Sequence, residues 1–337
     1  MLKSFSTTGI GSLPHSDPVE ACRVVFDSVD IPFWPQLPHR SFLELMVPQY
    51  SEGFPFLRIE GEDIRVERAE DQAVASFYEA IGNKKGFPIS REYAAGLYAF
   101  MDILREKDQK LDVVKGHVTG PLTFTLSLTD DQKRPIFFDE EMRELALELL
   151  KGKVSWQIDL LRAYADDVII FIDEPIFSAL GTSAYLGVDT AEASRLLSGL
   201  VDHIRDCGGI SGIHCCSKAD WPLVLSSKPD IFNFDAYFFW DTIGLYPEEI
   251  TSFVNNGGFI AWGVVPTTEA IRDVTTRGLG EQLERGMSSL EKIGISRDRL
   301  LAQALLTPSC GTGSMKVNDA VKVFHLLKEL KDSYVRQ

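Results

Sequence analysis

The sequence predicts one (β/α)8 TIM-barrel domain, and three observations support this prediction. Short apolar runs bounded by turn residues recur along the chain, and a helix-like segment separates each run from the next. The chain has 337 residues, which allows one large core, as in a single barrel, or equally two modest ones. Polar side chains follow most of the runs, as expected where the strands of a barrel end at an active site.

The predicted elements alternate along the chain. Eight apolar runs are predicted to be strands: 5–10, 31–37, 113–118, 167–172, 209–214, 231–235, 259–264 and 300–306. Helices are predicted where apolar residues recur at spacings of three and four: 70–81, 93–104, 140–164 and 317–330. The first two helices lie in a connection far longer than a barrel needs. We therefore expect domain 1–337 to carry a helical insertion, about 41–111, between the second and third strands.

The composition restricts the partners of the chain. The net charge is −15 and Lys and Arg form no block, which disfavours nucleic acid and favours a small molecule, or a protein that tolerates an acidic surface, as the partner. Five cysteines, an odd number with two adjacent, argue against a disulfide framework and for reduced thiols in the cytoplasm. No secretory signal is expected in residues 1–14, and no apolar run reaches the length of a membrane span. The sequence thus predicts a cytoplasmic protein without a membrane partner.

Metal-ligating residues fall where predicted strands end. His214 and Cys216 follow the fifth strand, and Cys310 follows the eighth. Alternate residues of an extended chain share a face, so His214 and Cys216 can point together while Cys215 points away. An imidazole and two thiols suit zinc and leave a fourth position, for which Asp235 is the best-placed carboxylate. Because Cys310 is distant in sequence, the site resembles a catalytic centre made by the fold rather than a zinc finger.

A second interpretation is a buried strand end with small apolar thiols, since free Cys is among the most buried residue types. Cys22 and Cys207 lie in helix-like segments and are predicted to be packing residues. A free thiol with a pKa of about 8.5 is only about 3% ionised at pH 7, whereas a metal ion ionises a thiol that coordinates it. A sulfur-rich zinc site therefore suits activation of a substrate thiol, with substrate hydrolysis as the open alternative.

Two further strand ends carry groups that suit an amino acid. Asp173 and Glu174 follow the most apolar run of the chain and could hold a substrate ammonium group. The alternative is an acid pair at a helix N-terminus. Gly11 and Ser12 follow the first strand, and this turn could bind a substrate carboxylate through backbone N–H groups and a hydroxyl.

Five motifs of the chain stand in a recognisable order: Thr8-Gly9-Ile10-Gly11-Ser12-Leu13-Pro14, Val118-Thr119-Gly120-Pro121-Leu122-Thr123, Phe171-Ile172-Asp173-Glu174-Pro175, His214-Cys215-Cys216 and Pro308-Ser309-Cys310-Gly311. With these motifs, the sequence resembles the cobalamin-independent methionine synthase family. The resemblance is to the catalytic C-terminal barrel and covers nearly the whole chain. The wider superfamily also holds uroporphyrinogen decarboxylase and the corrinoid-dependent thiol methyltransferases.

The resemblance implies a role for each matching residue. The zinc ligands of the family match His214, Cys216 and Cys310, and Asp235 stands where the family has a glutamate ligand. The residues implied to bind homocysteine are the turn of the first strand, the carboxylate for the amino group and one further glutamate, namely Ile10, Gly11, Ser12, Asp173 and Glu60.

Two departures from the family pattern concern the methyl donor. The family has a catalytic His after a Gly-Val at the end of the seventh strand, whereas residues 263–268 contain no His. A Glu that contacts folate in the family falls near Ala179. Both losses disfavour methyltetrahydrofolate and favour a methylcorrinoid or a corrinoid protein as the donor.

The sequence therefore predicts a zinc-dependent methyltransferase that converts homocysteine to methionine. One alternative is transfer to coenzyme M, which has a sulfonate and would be better served by Arg or Lys than by Asp173. Another is a decarboxylase like uroporphyrinogen decarboxylase, which would need an Arg-rich first turn that residues 9–14 lack. A zinc-binding or corrinoid-binding protein without turnover is the third.

Overall fold

The fold is described here from a computed structural model. The structure describes residues 2–68, 72–82, 87–180, 185, 187–216 and 219–335. The β-strands in these ranges are β1 (Ser6–Thr7), β2 (Leu57–Glu60), β3 (Asp63–Val66), β4 (Leu111–Thr119), β5 (Thr129–Asp130), β6 (Ala165–Asp173), β7 (Ile210–Cys215), β8 (Ile231–Phe234), β9 (Phe259–Val265) and β10 (Ala304–Pro308).

The α-helices of the described ranges are α1 (Pro18–Ser28), α2 (Met46–Ser51), α3 (Gln72–Gly82), α4 (Ala95–Arg105), α5 (Pro121–Ser127), α6 (Glu140–Arg162), α7 (Thr190–Asp206), α8 (Trp221–Ser226), α9 (Ala236–Phe239), α10 (Pro247–Asn255), α11 (Thr276–Glu291), α12 (Arg297–Ala302) and α13 (Val317–Val335). Aspartate side chains begin several of them: Asp17, Asp139 and Asp189 accept hydrogen bonds from the first backbone N–H groups of α1, α6 and α7.

Seven strands form one parallel sheet in the order β1-β10-β9-β8-β7-β6-β4. Its two faces differ. Because side chains alternate along a strand, every second residue points to the same face, and this position is called the parity of the residue. Residues of one parity pack against the helices. Residues of the other parity form a small separate apolar cluster: Ile10, Ile31, Val113, Ile169, Phe171, Ile231, Ala261 and Leu305. Because β4 and β10 lie far apart in the sheet and share this cluster, the sheet is curled around it. The face toward this cluster is called the inner face below.

The predicted second strand, 31–37, does not form a regular strand. Phe33 makes an isolated bridge to Lys115 of β4, and Gln36 makes one to Ser12. Pro32 and Pro35 lack the N–H groups that a regular ladder requires. The backbone N of Ile31 nevertheless donates to Thr7 at 3.0 Å, and the carbonyl of Pro32 accepts from Lys115 at 2.8 Å. The segment therefore hydrogen-bonds to both edges of the curled sheet.

The other predicted strands overlap β1, β4, β6, β7, β8, β9 and β10, with one error at the start of the last. The prediction began that strand at residue 300, but residues up to Ala302 belong to α12 and the strand starts at Ala304. The predicted helices are confirmed as α4, α6 and α13. The helix predicted over 70–81 corresponds to α3, and its first two residues lie outside the described part of the chain.

The segment 41–111 was predicted to be helical, and it also contains a β-hairpin. Strands β2 and β3 pair in antiparallel register, and β3 pairs with β5. The turn contains Gly61 at a φ of +64°, a conformation that glycine adopts without strain. Within the described residues, no helix is long and apolar enough to cross a membrane.

Candidate active site

Three soft ligand atoms meet at the carboxyl ends of the strands. The Nε2 atom of His214 lies 2.9 Å from the Sγ atom of Cys216, which lies 3.0 Å from the Sγ atom of Cys310. One ligand atom from each of the three residues lies within 4.8 Å of the others. An imidazole nitrogen and two sulfurs at this separation fit a zinc ion, and no other group of three possible ligands occurs among the described residues.

The curl of the sheet brings these residues together. His214 and Cys216 come from the end of β7, whereas Cys310 follows β10, three strands away in the sheet. The loop that carries Cys310 is fixed at its base, where the backbone N of Ser309 donates to the carbonyl of Val265 at 2.8 Å. The contact between the two thiols lowers the pKa of Cys310, because the Cys216 thiol donates a hydrogen bond to it.

The ligand atoms open onto a cavity of about 450 Å³. Its walls combine the three possible metal ligands with polar and apolar groups from the neighbouring strand ends: Ile10, Ser12, Gln36, Pro38, His39, Leu45, Met46, Asp173, Pro175, Gly311, Gly313 and Ser314. Ile10, Ser12 and Asp173, predicted from separate parts of the sequence, thus line one cavity with His214, Cys216 and Cys310.

Asp173 is a buried carboxylate with capacity for a ligand. It ends β6 on the inner face and is only 9% exposed. Its Oδ1 atom has no hydrogen-bond partner among the described residues. Burial raises the pKa of Asp173 to about 6, and the positive charge of Lys115 acts in the opposite direction. An ammonium group entering the cavity would give this carboxylate the partner that buried charges require.

The turn after β1 is joined to the loop that carries Cys310. The carbonyl of Ser12 accepts hydrogen bonds from the N–H and the hydroxyl of Thr312, both at 2.9 Å, and its Oγ atom accepts from the N–H of Gly313 at 3.2 Å. A Cβ atom at Gly311 would lie 2.2 Å from the Ser12 Oγ atom, so this contact requires glycine. Among the described residues the Ser12 hydroxyl has no acceptor, so its proton is available to a substrate.

Gly11 does not line the cavity itself. Its carbonyl accepts from the N–H of Gln36 at 3.0 Å, and its α-carbon packs against the ring of His117. The carbonyl of Ile10 accepts from the ammonium group of Lys115 at 2.5 Å. These contacts fix the backbone of the turn after β1 on the side away from the cavity.

Two predicted site residues are not part of this arrangement. Asp235 is absent from the group of ligand atoms, and its carboxylate begins α9 by accepting from the backbone N of Phe238 at 2.9 Å. Its role as fourth ligand stays a prediction. Glu60 does not line the cavity: it lies in the β2–β3 hairpin with a side chain that is 69% exposed and pairs with Arg65 at 3.1 Å.

Glu174, the second acid of the predicted pair, faces away from the cavity. It is fully buried and accepts hydrogen bonds from the N–H groups of Leu122 and Thr123, both at 2.8 Å, and from the Thr123 hydroxyl at 2.6 Å. Glu174 therefore caps the start of α5. Glu174 thus has the role of the alternative interpretation, an acid at a helix N-terminus. Of the two acids, only Asp173 is available to a substrate.

Sequence reasoning missed two buried polar residues on the inner face. Lys115 lies under the cavity, with its ammonium group 4.5 Å from the centre of the Phe171 ring. Asn233 lies beside His214 and hydrogen-bonds to it. Both interrupt apolar strands at positions of inner parity, and this interruption is the sequence signal that could have identified them.

The end of β9 offers no imidazole to the cavity. The N–H of Thr267 donates to the Oγ atom of Ser309 at 3.2 Å, and the two hydroxyls lie 3.3 Å apart. Among the described residues that line the cavity, the imidazoles are those of His214 and of His39, which is exposed at the rim.

Two solved structures have a similar fold. A B12-independent methionine synthase from Shewanella sp. W3-18-1, in complex with selenomethionine, is 13% identical, with a TM-score of 0.59 over 99% of this chain and 98% of that chain. A methyltransferase from Methanosarcina mazei is 13% identical, with a TM-score of 0.57 over 99% of this chain and 95% of that chain. At this identity the similarity shows the fold alone. No protein-family model and no curated protein matches the chain.

Proposed function

We propose that this protein is a zinc-dependent methyltransferase that transfers a methyl group to the thiol of homocysteine, with a methylcorrinoid or a methylated corrinoid protein as the donor. One observation carries the proposal: the ligand atoms of His214, Cys216 and Cys310 open onto the same cavity as a carboxylate oxygen of Asp173 that has no partner among the described residues. A thiol and an ammonium group on one small molecule match these two features. The resemblance of the sequence motifs to methionine synthases supports the same substrate.

The residues of the cavity divide the work of binding. His214, Cys216 and Cys310 would hold zinc, with Asp235 as the proposed fourth ligand. When bound, zinc makes a substrate thiol a thiolate at neutral pH. Asp173 pairs with the substrate ammonium group, and the Ser12 hydroxyl donates to the substrate carboxylate. Two fixed ends leave the sulfur in one orientation, and such positioning is a large part of catalysis in a transfer to a nucleophile.

The chemistry of the leaving group supports a corrinoid donor. In the transfer, the thiolate sulfur forms a bond to the methyl carbon while the electron pair of the methyl–cobalt bond stays with the corrinoid. That leaving group needs no proton, whereas a folate nitrogen does. At the end of β9, Thr267 and Ser309 hydrogen-bond to each other, and neither hydroxyl is acidic enough to protonate a folate nitrogen at neutral pH.

The charges of the cavity favour homocysteine over coenzyme M and over a substrate with several carboxylates. Among the described lining residues there is no Arg or Lys to pair with a sulfonate or with additional carboxylates. Asp173 would repel such anions.

We also propose that residues 31–37 complete an eight-stranded barrel. The hydrogen bonds of Ile31 and Pro32 to the two edges of the sheet support this closure. The segment 41–111 would then be an insertion between the second and third strands of the barrel.

A single-turnover assay tests the proposed function. Zinc-loaded protein is mixed with methylcobalamin and either homocysteine or coenzyme M, and the methylated thiol is measured by mass spectrometry. We expect methionine to form and methylated coenzyme M not to form. Methyl transfer to coenzyme M alone, or no transfer with a methylcorrinoid although methyltetrahydrofolate supports it, would contradict the proposal.

A further inference from the structure

Asn233 joins the predicted metal ligand His214 to the two strands beyond it. The Nδ1 atom of His214 hydrogen-bonds to the Oδ1 atom of Asn233. The Nδ2 atom of Asn233 donates to the carbonyl of Ala261 at 2.7 Å and to the hydroxyl of Thr307 at 2.8 Å. The four residues come from β7, β8, β9 and β10, which are neighbours in the sheet.

The Ala261 carbonyl decides the orientation of the Asn233 amide. A carbonyl oxygen can only accept, so the amide must turn its NH₂ group toward Ala261 and its oxygen toward His214. The Asn233 oxygen is itself only an acceptor, and the Nδ1 atom that faces it must therefore carry a proton. In a neutral imidazole the other nitrogen, Nε2, then has a free lone pair.

We propose that Asn233 is a positioning residue that holds His214 in the Nδ1–H tautomer and so presents the Nε2 lone pair to a metal ion. The Nε2 atom lies 2.9 Å from the Cys216 sulfur, on the side of the ring where the other ligand atoms lie. A partner behind a metal-ligating imidazole fixes both the tautomer and the angle of the ring. This inference rests on the proposed function only in assuming that a metal binds. The hydrogen bonds of Asn233 to His214, Ala261 and Thr307 do not depend on a metal.

Burial makes the contact consequential. Asn233 is 0% exposed and His214 is 1% exposed, so bulk water cannot replace a lost partner. Without an acceptor at position 233, the proton on Nδ1 would be buried and unpaired, and the Nε2–H tautomer would become competitive. The Nε2–H tautomer has no lone pair for a metal at the position where the sulfurs meet.

The tautomer can be measured on the metal-free protein. Long-range ¹H–¹⁵N NMR of protein labelled at histidine distinguishes the two tautomers, and a His214→Gln variant assigns the signals. We expect the Nδ1–H tautomer in the wild-type protein at a pH where His214 is neutral, and a neutral His214 with its proton on Nε2 would overturn the proposal whether or not any variant folds. Asn233→Leu removes the acceptor with little change of volume and is expected to give a mixture of tautomers. Asn233→Asp keeps an acceptor and is expected to retain Nδ1–H.

Metal affinity provides the second measurement. We expect Asn233→Leu to weaken zinc binding by about 10- to 100-fold in competition with a chromogenic chelator, as is typical for partners behind metal ligands. Thr307→Val is the matched control, because it removes one partner of the Asn233 NH₂ group and leaves the Ala261 contact to orient the amide. It should keep the tautomer and bind zinc within a few-fold of wild type. A wild-type tautomer and affinity in Asn233→Leu would overturn the proposal.

These outcomes are separable from those of the proposed function. The NMR experiment uses neither metal nor methyl donor. If methyl transfer fails while the tautomer and the zinc affinity change as expected, the proposed function is wrong and the role of Asn233 stands.

Discussion

The inner and outer residues at the ends of β6 and β7 have similar chemistry and different surroundings. Asp173 faces inward and has a carboxylate oxygen without a partner among the described residues, whereas Glu174 faces outward and receives three hydrogen bonds from α5. Cys216 meets other ligand atoms, whereas Cys215 is buried among apolar residues of the outer core. The same pairs of residue types are therefore open to a ligand on the inner face and enclosed by packing on the outer face.

In these two pairs, the face to which a side chain points separates the surroundings of the residues, whereas the chemical type of the side chain does not. Adjacent side chains of a strand point to opposite faces. On the outer face, a carboxylate is useful only if a neighbouring element supplies donors, and Gly120 makes room for that contact. A Cβ atom at Gly120 would lie 2.1 Å from the Glu174 carboxyl carbon. Substitutions of paired inner and outer residues can test this separation of roles.

The largest difference is expected between the two adjacent cysteines. Cys216→Ala should weaken zinc binding by more than about 100-fold, because even the loss of a partner behind a ligand costs about 10- to 100-fold. Cys215→Ala should leave zinc binding unchanged and lower the free energy of unfolding by about 1 kcal/mol, as is common for a buried substitution. Zinc competition and urea unfolding measure the two effects. Equal zinc affinities in the two variants would remove Cys216 from the site.

Asp173→Asn should weaken the binding of homocysteine by about 10- to 100-fold, since a hydrogen bond to a charged group is worth about 1.5–3 kcal/mol. The matched ligand is 4-mercaptobutanoate, which has the thiol and the carboxylate but no amino group. Its dissociation constant should change little, and calorimetry measures both. If the two thiols lose affinity equally, Asp173 does not recognise the ammonium group.

Glu174→Gln should leave thiol binding unchanged and destabilise the fold by about 1–3 kcal/mol, because an amide NH₂ group would face one of the buried N–H donors of α5. Burial raises the pKa of Glu174 to about 7. A carboxyl group whose pKa is higher in the folded state contributes stability that falls as the pH rises from about 4.5 to about 7. The deficit of Glu174→Gln should therefore shrink over this range in urea unfolding of the metal-free protein. A deficit that grows with pH would mean that the donors of α5 hold the carboxylate charged.

The smallest effect is expected for Glu60, which lies outside both regions. Glu60→Gln removes an exposed ion pair with Arg65, and such pairs contribute little to stability. We expect no measurable change in the thermal midpoint or in the dissociation constant of homocysteine. A clear loss of homocysteine affinity would show that the hairpin of β2 and β3 moves to the cavity when substrate binds.

The apolar runs predicted seven strand positions of the sheet, because a buried parallel strand has a continuous apolar sequence. The segment 31–37 has the same apolar character, but the ladder hydrogen bonds depend on N–H groups that Pro32 and Pro35 lack. The β2–β3 hairpin was missed because its alternation is made by Arg and Glu around Gly61, without the apolar run that the prediction used.

For the candidate site, the residue types predicted that His214, Cys216 and Cys310 lie together, because an imidazole and thiols at strand ends have few structural uses, and the structure brings their ligand atoms into one group. Asp173 and Glu174 could not be separated from composition, since only the parity of β6 distinguishes them. Asn233 and Lys115 were missed because each lies within an otherwise apolar strand, and a single polar residue there has meaning only once the inner face is known.

Zinc K-edge X-ray absorption with and without homocysteine tests the central claim most directly. The account predicts two sulfur ligands in the protein alone and three when homocysteine is added, with the additional Zn–S distance at about 2.3 Å. Coenzyme M in a parallel sample should leave two. A ligand shell that does not change with homocysteine would contradict thiol activation at His214, Cys216 and Cys310.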